Sequence, residues 1–432
     1  MKKILLVTST FYPQNKVSVL RVGEWSKYLA KYGYEVTVLT PKKYSFLGPF
    51  GLNKKLPDNV IIKEVDFLPD VLKKKLDKKV NTIVYANNES NIYSLKLFVR
   101  KLRRYIGSLI DIHDLWIKPA LKEAIKLHEQ KKFDYIISSF SPPAVHIIAH
   151  KLKIHYPSVK WIADFRDLWA YNHILNPRGI FKIYEKYRES KVLSNSDCIV
   201  TVSKPLSDLM KEAYPEKNVF TIENGFDPEE FPNWKENIVK FPEIKDKLTI
   251  SYLGTIYPEK RDPSILFESI NELIEEGFLS KDRVEINFYG DNKKQLLEII
   301  NPKNLNKFGI INIKGFVSRE ESLKIQKNSD LLLLLEWNDP SAKGVLTGKL
   351  FEYLVSGRPI LAIGISNENA AGEVIEKTKT GKLFLEKESL KNELKKIFVN
   401  QKIEFYDPLI EEIEKFSRKK QVEKLIRIMD GL

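Results

Sequence analysis

Lys349 and Glu352 stand one helical turn apart, directly behind a bend of small residues, Ser341-Ala-Lys-Gly-Val-Leu-Thr347. Together they could hold a pyrophosphate and a ribose. A helix N-terminus presents unpaired backbone N–H groups and the positive end of its dipole, and phosphate oxygens are the natural guests of that arrangement. Gly344 permits close backbone approach, and Lys343 and Lys349 add charge. Glu352 can accept two hydrogen bonds from vicinal hydroxyls. The plainer reading of the same residues is an ordinary helix carrying a solvent-facing Lys/Glu pair.

Positioning this pair requires a helix between two buried strands. Thr347-Gly-Lys-Leu-Phe-Glu-Tyr-Leu-Val-Ser-Gly357 reads as one helix, with Thr347 at the N-cap, Gly357 just past the end and Pro359 preventing continuation. Helical spacing places Gly348, Lys349, Glu352 and Ser356 on one face and Leu350 and Leu354 on another. Asp330-Leu-Leu-Leu-Leu-Leu-Glu336 upstream and Pro359-Ile-Leu-Ala-Ile-Gly364 downstream are short apolar runs, as expected of strands buried on both faces of a parallel sheet.

The helix resembles that of the retaining glycosyltransferases of family 4, which have the two-domain GT-B architecture. Their motif often ends Lys-x-x-Glu-Tyr-Leu-x-x-Gly-x-Pro, and Gly348-Lys-Leu-Phe-Glu-Tyr-Leu-Val-Ser-Gly-Arg-Pro359 matches it. The resemblance makes Glu352 the ligand of the nucleotide ribose. Eight positions earlier the family carries a second glutamate against the donor sugar; here Gly344 stands in its place. The fold implied is α/β, with two Rossmann-like domains whose parallel sheets face each other across a cleft. The resemblance covers nearly the whole chain: residues 1–235 would form the acceptor-side domain, completed by a crossover helix at about 409–432, and 240–405 the donor-side domain.

Other segments fall in the order this family implies. Leu248-Thr-Ile-Ser-Tyr-Leu-Gly254 opens the second sheet and runs into Thr255-Ile-Tyr-Pro-Glu-Lys-Arg261, similar to a Gly-Arg-x-x-x-Glu-Lys stretch whose two cations bind the donor pyrophosphate. Lys260 matches the lysine, Thr255 replaces the arginine, and Arg261 is the candidate to compensate. A surface loop cation is the alternative for Lys260. The loop Gly315-Phe316-Val317 corresponds to one lying over the nucleotide base, and Val345 and Leu346 complete the donor-binding bend. Thr221-Ile-Glu-Asn-Gly-Phe-Asp227 resembles the family's Asn-Gly-x-Asp segment, which makes Asn224 and Gly225 cleft candidates, with a linker over Pro228 to Pro242.

In the first half, Ile4-Leu-Leu-Val-Thr-Ser9, a helix from about Val19 to Lys31 and Gly33-Tyr-Glu-Val-Thr-Val-Leu-Thr40 begin a Rossmann-like sheet. Gln14-Asn-Lys-Val-Ser18 occupies the loop where the family has a Gly-Gly pair, so Lys16 and Arg21 are candidates for acceptor-side contacts. Trp161-Ile-Ala-Asp-Phe-Arg-Asp-Leu-Trp169 puts charge after a strand, where open α/β sheets bind ligands. Arg166 and Asp167 stand near the family's His-Asp. Arg166 could stabilise the departing phosphate, and Asp164 or Asp167 could orient an acceptor hydroxyl. The competing reading is an Arg/Asp network that braces the loop. With Lys260, these three are the catalytic candidates.

A length of 432 residues suits two domains, each with its own core. Cys198 is the only cysteine, so a reducing compartment is expected. No signal peptide or spanning apolar run is read, and no metal-ligand spacing: His146 and His150 share a helix face without a third ligand. No cofactor or metal is expected. The net charge of +14 exceeds what a nucleotide sugar requires. Residues 93–110, with Leu95, Phe98, Val99, Leu102, Ile106 and Leu109 opposite Lys96, Arg100, Arg103 and Arg104, have the pattern of a helix lying on an anionic membrane. A core helix with a solvated basic face shares that pattern.

The resemblance thus implies transfer of a sugar from a nucleotide sugar to a glycan acceptor, lipid-linked, at the cytoplasmic face of a membrane, with retention. A sugar-nucleotide epimerase and a non-catalytic binding protein are the rivals. A dinucleotide oxidoreductase is disfavoured because no Gly-x-Gly-x-x-Gly follows the first strand. Nucleic acid is not expected as a partner, since the cations are spread over both halves and no binding module is present.

Overall fold

The structure is a computed structural model and describes residues 1–44, 48, 50–70, 73, 107–109, 111–172, 177–244, 246–257, 260–337 and 339–432. The basic segment 93–110 lies outside the described residues apart from 107–109. By contacts the chain divides into two units, residues 1–223 with 422–432, and residues 224–421.

Among the described residues, the first unit carries a parallel sheet of seven strands, β1 (Lys3–Thr8), β2 (Glu35–Pro41), β3 (Val60–Val65), β4 (Tyr135–Phe140), β5 (Lys160–Phe165), β6 (Cys198–Thr201) and β7 (Asn218–Thr221), in the order β3-β2-β1-β4-β5-β6-β7. Strand alternation sorts the apolar residues to two faces. Ile4, Leu6, Val36, Val38, Ile137 and Ile162 pack against Val19, Val22, Trp25 and Leu29 of α1 (Val17–Lys31). Leu5, Val7, Leu39, Ile136 and Ala163 pack against α2 (Ile117–Lys131) and α3 (Ala144–His155) through Ala120, Ala124, Ile148 and Leu152. Helices α4 (Ile180–Leu193) and α5 (Lys204–Ala213) follow β5 and β6. The sheet reverses direction of growth between β1 and β4, the switch point at which such folds bind ligands.

The second unit repeats the plan with β8 (Leu248–Leu253), β9 (Val284–Tyr289), β10 (Ile311–Gly315), β11 (Leu331–Leu335), β12 (Ile360–Ile363) and β13 (Gly381–Phe384), ordered β10-β9-β8-β11-β12-β13 and parallel throughout. Every leucine of β11 is buried, as a strand covered on both faces demands. One face packs on α6 (Ser264–Glu275) and a later helix of the unit, and the other on the helix Gly348–Val355. In chain order the remaining helices are α7 (Lys293–Ile300), α8 (Arg319–Asn328), α9 (Gly348–Val355), α10 (Ala370–Thr378), α11 (Lys387–Asn400), α12 (Ile410–Glu414) and α13 (Arg418–Asp430). No helix among the described residues is long and apolar enough to cross a membrane.

Two boundaries differ from the sequence reading. Residues 224–239 belong to the second unit, because Phe226, Phe231 and Trp234 are buried against Leu350, Phe351 and Leu354 rather than forming a free linker. The single closing helix is two, α12 and α13, with Phe416 and Ser417 between them; Phe226 N–H bonds the Phe416 carbonyl at 3.1 Å and Arg418 N–H the Phe226 carbonyl at 2.7 Å. Residues 422–432 belong to the first unit, where Val422, Leu425 and Met429 complete the α1 face of the core.

Candidate functional site

The second unit gathers its charge at its own switch point, where β8 and β11 lie side by side. Beyond β8 comes Gly254, and beyond β11 comes Glu336, only 5% exposed. Arg261 meets Glu336 at 3.0 Å (Nη2 to Oε2), and the Thr347 hydroxyl donates to the other oxygen, Oε1, at 2.9 Å. Arg261 Nη1 reaches the Thr255 carbonyl at 3.4 Å, while its Nε–H is buried without an acceptor. Asn292 pins the same loop, accepting from Ile256 N–H at 2.9 Å and donating to the Gly254 carbonyl.

Lys349, in the first turn of α9, crosses to β8. Its ammonium lies 4.2 Å from the centroid of the Tyr252 ring and 3.1 Å from that residue's hydroxyl. It fills the space a side chain at Gly254 would take: a Cβ there would be 2.3 Å from the Lys349 nitrogen. No carboxylate among the described residues pairs with it. Burial, with Arg261 adding repulsion, pushes the ammonium down to about 7, against the weaker pull of Glu336 and Glu352. Thr347 takes the N-cap position with extended backbone but makes no cap bond, and its hydroxyl donates to Glu336. The amides of Gly348 and Lys349 therefore take no acceptor among the described residues.

Glu352, one turn on, accepts from Arg319 Nη1 at 2.8 Å and from Gln326 Nε2 at 3.2 Å. Arg319 also binds Glu230 at 2.8 Å through Nε. Each oxygen of Glu352 keeps a further lone pair for a hydroxyl donor. Within the bend, Gly344 and Leu346 are buried while Val345 and Thr347 are half-buried. Lys343 pairs with Glu368. Lys260 stands at the exposed rim, 4.3 Å from the centroid of the Trp337 ring and 3.7 Å from Asp339. Gly315 adopts a φ of 80° and Phe316 projects with 81% of its surface exposed, beside half-buried Val317. Asn224 donates to the Leu346 carbonyl at 3.4 Å, and Gly225 lies so close to the Phe416 carbonyl that a Cβ would sit 2.0 Å from it. Asn224 thus contacts the bend, and Gly225 packs against the segment that precedes α13.

In the first unit, burial removes two candidates from any ligand's reach. Arg21 and Asp164 are 1% and 0% exposed and bind each other at 2.7 Å (Nη2 to Oδ1), with Arg21 Nε within 3.2 Å of both carboxylate oxygens. Arg21 also donates to the Glu223 carbonyl at 2.9 Å and lies over the Trp25 ring at 4.2 Å. Ser139, at the end of β4, donates to Asp164 at 2.7 Å and accepts from Arg166 Nε at 3.2 Å. Arg21 and Asp164 thus form the bracing network, leaving half-buried Arg166 and exposed Asp167 beyond β5. Lys16 sits half-buried at the N-cap of α1, its ammonium lowered by burial. His146 is wholly buried, bonded to Ser138 at 2.7 Å, and burial pushes it down to about 3.

The sequence reading missed Glu336, Tyr252, Arg319 and Gln326. Glu336 had a usable signal, an acid at the C-terminal end of a buried parallel strand, the same signal that singled out Asp164. Tyr252 reads only as a strand residue, and Arg319 and Gln326 as a solvated helix.

The family model for Glycosyltransferase Family 4 matches residues 19–230. No curated protein matches the sequence. Among solved structures, a glycosyltransferase from Rickettsia africae ESF-5 is similar over 100% of this chain and 98% of its own, with a TM-score of 0.62 and 17% identity. Sucrose-phosphate synthase from Thermosynechococcus elongatus is similar over 100% and 99%, with a TM-score of 0.61 and 11% identity. An E. coli trehalose-6-phosphate protein bound with UDP-2-fluoro glucose gives the same coverage, TM-score 0.61 and 11% identity. Residues 19–230 thus carry a match to Glycosyltransferase Family 4, and the chain has the GT-B fold of two Rossmann-like domains.

Proposed function

We propose that the protein transfers a sugar from a nucleoside diphosphate sugar to a glycan acceptor, with retention at the anomeric carbon and without a metal. The observation that carries this reading is the Lys349 ammonium: desolvated, held over Tyr252 and facing no carboxylate partner, beside an Arg261 whose Nε–H is also unmatched. Two half-buried cationic donors beside the amides of a helix N-terminus suit a diphosphate, whose charge they would neutralise as the sugar departs. The E. coli relative bound with UDP-2-fluoro glucose supports a nucleotide sugar as donor.

In this reading Lys349, Arg261 and the Gly348 amide hold the pyrophosphate, and Lys260 joins them from the rim. Glu352 takes the ribose hydroxyls, and Phe316, above Gly315, covers the base. Gly254 leaves room for the Lys349 ammonium and Thr255 lies along the phosphates, with Lys343 to Thr347 shaping the opposite side. Arg166 and Asp167 act on the reacting groups, and Lys16 contacts the acceptor. The acceptor is lipid-linked and belongs to a surface polysaccharide made at the cytoplasmic face of the membrane.

Calorimetric titration with UDP, GDP and their sugars tests the donor site: one nucleotide should bind the wild-type chain and lose at least about tenfold in affinity in Lys349→Ala and Glu352→Ala, with transfer falling about 10²-fold. Equal affinity in both variants would overturn the assignment. Gly344 at the place of the family's first glutamate favours a second reading, donor binding without transfer. NMR of donor with glycan acceptors separates the two: a product of retained configuration supports transfer, and intact or isomerised donor supports binding alone or epimerisation.

A further inference from the structure

The segment that leaves β5 is pinned at both ends. At its start Phe165 is held in the sheet, in register with Phe140 of β4 and Thr201 of β6. Arg166 and Asp167 follow, and then Leu168, Trp169 and Ala170, which are buried. Helix α4 grips this far end. Its Glu185 and Glu189, spaced i, i+4 on one face, are 1% and 0% exposed. Glu185 accepts from the Trp169 indole, from Ser108 N–H at 3.1 Å and from the Ser108 hydroxyl at 2.8 Å. Glu189 accepts from Ala170 N–H at 2.7 Å through Oε2 and from the Tyr214 hydroxyl at 2.6 Å through Oε1. The Trp169 ring stacks on that of Phe140, with centroids 6.2 Å apart.

Burying two carboxylates is a costly way to hold a loop. Among the described residues no lysine or arginine lies within ion-pair distance of Glu189, and burial pushes its carboxyl up to about 7; Glu185 has Arg188 alone, at 3.8 Å. Packing on Phe140 already gives Trp169 its apolar contacts. What the acids add is direction, because a hydrogen bond to an indole or amide N–H weakens steeply off line, and an ionised acceptor makes it stronger. Between the sheet and these two bonds only Arg166, Asp167 and Leu168 keep any choice of conformation, and Arg166 Nε is further set on Ser139 at 3.2 Å. We infer that Glu185 and Glu189 are positioning residues for sugar transfer: through Trp169 and Ala170 they fix where Arg166 and Asp167 stand against the reacting groups. Neither acid reaches solvent, so each acts through the loop. The inference rests on the roles proposed for Arg166 and Asp167.

The test is turnover of the full chain well below its thermal midpoint, read as nucleoside diphosphate released from the UDP- or GDP-sugar that binds, with glycan acceptors and with water alone. Glu189→Ala should lower kcat at least about tenfold, while the KM for the nucleotide sugar and its calorimetric affinity stay within about twofold. Glu189→Gln should recover most of that loss, since its amide oxygen can accept from Ala170 and its NH2 donate to the Tyr214 oxygen. Trp169→Phe keeps a ring on Phe140, deletes only the indole donor, and should lower kcat at least about threefold in a chain that still folds. In the Arg166→Ala/Asp167→Ala background, adding Glu189→Ala should lower kcat by less than about twofold more, because the groups it places are gone. A merely structural role would lower the thermal midpoint and leave kcat alone. Unchanged kcat in Glu189→Ala and Trp169→Phe, or a full further loss in the double-variant background, would overturn the inference and leave the donor site standing. Unchanged kcat in Arg166→Ala/Asp167→Ala would instead overturn the roles on which it rests, and the inference with them.

Discussion

Thr347 donates its hydroxyl to Glu336 at 2.9 Å and not to the helix that it precedes. A threonine at an N-cap ordinarily satisfies an amide of the first turn. Here the amides stay available and the threonine instead steadies the carboxylate that holds Arg261. Thr347→Ala should destabilise the chain by about 1.5–3 kcal/mol, the range for a hydrogen bond to a charged group, and Thr347→Ser should restore it. Urea unfolding of the variants checks this, and an equal loss in Thr347→Ser would count against the Glu336 bond as the cause.

Glu336 and Arg261 are 5% and 11% exposed at their side chains, so removing one leaves the other's needs unmet inside the protein. Glu336→Gln should cost about 3 kcal/mol or more, and much of that should be recovered in Glu336→Gln/Arg261→Gln. A double-mutant cycle by chemical denaturation measures the coupling. Additive losses would show that the pair does not interact strongly.

The Lys349 ammonium is lowered to about 7 from an ordinary 10.5. The folded state therefore holds this proton less tightly than the unfolded state. The full cost of burying the charge is present below pH 7, and stability rises between about pH 7 and 10.5 as the folded group stays neutral while the unfolded one remains charged. Lys349→Met should flatten that part of the stability curve and raise stability at pH 6. A diphosphate beside the nitrogen raises its pKa again, so nucleotide binding takes up a proton above pH 7. Affinity should then fall by up to about tenfold per pH unit between about pH 7.5 and 9, and the slope should vanish in Lys349→Met. Calorimetry in buffers of different ionisation enthalpy counts the proton directly.

Gly254 leaves room for that same ammonium. Gly254→Ala should push Lys349 off Tyr252 and weaken nucleotide binding about tenfold or more, since the φ of 154° at this residue also resists a side chain. A crystal structure of the variant would show whether the lysine moves; unchanged affinity would argue that Lys349 does not bind the diphosphate.

Asp164 serves a different purpose. Asp164→Asn leaves buried Arg21 without its counter-charge and should lower stability by about 3–5 kcal/mol while leaving nucleotide affinity in the second unit unchanged. Thermal unfolding and calorimetry on the same sample separate the two effects.

Periodicity made most of the fold readable. The leucine run of β11, the capped helix over Lys349 and Glu352 and the opening strand all lie within a residue or two of where pattern placed them, because buried parallel strands and helix ends leave local signatures. The candidate site was legible only in part. Lys349 and Arg261 could be singled out from their neighbours in sequence, but Tyr252 meets Lys349 across 97 residues, and Arg319 meets Glu352 across 33. Such pairings depend on which strands adjoin, and order in the sheet leaves no mark on a single strand. Arg21 and Asp164 show the opposite error: charged residues at a sheet's ligand-binding edge were credited with chemistry when 143 positions of separation concealed that they neutralise each other.

The last turns of α13 carry Val422, Leu425 and Met429 into the core built on β1, and the Met429 carbonyl accepts from the Tyr135 hydroxyl at 3.1 Å. Strand β1 is thus sealed by turns of a helix that follow the whole second unit in sequence. Biosynthesis must therefore deliver residues 422–432 before the first unit completes its core, whereas residues 224–421 are made earlier. A chain lacking residues 422–432 would leave an apolar seam open on an otherwise assembled sheet, a product that quality-control proteases are suited to remove.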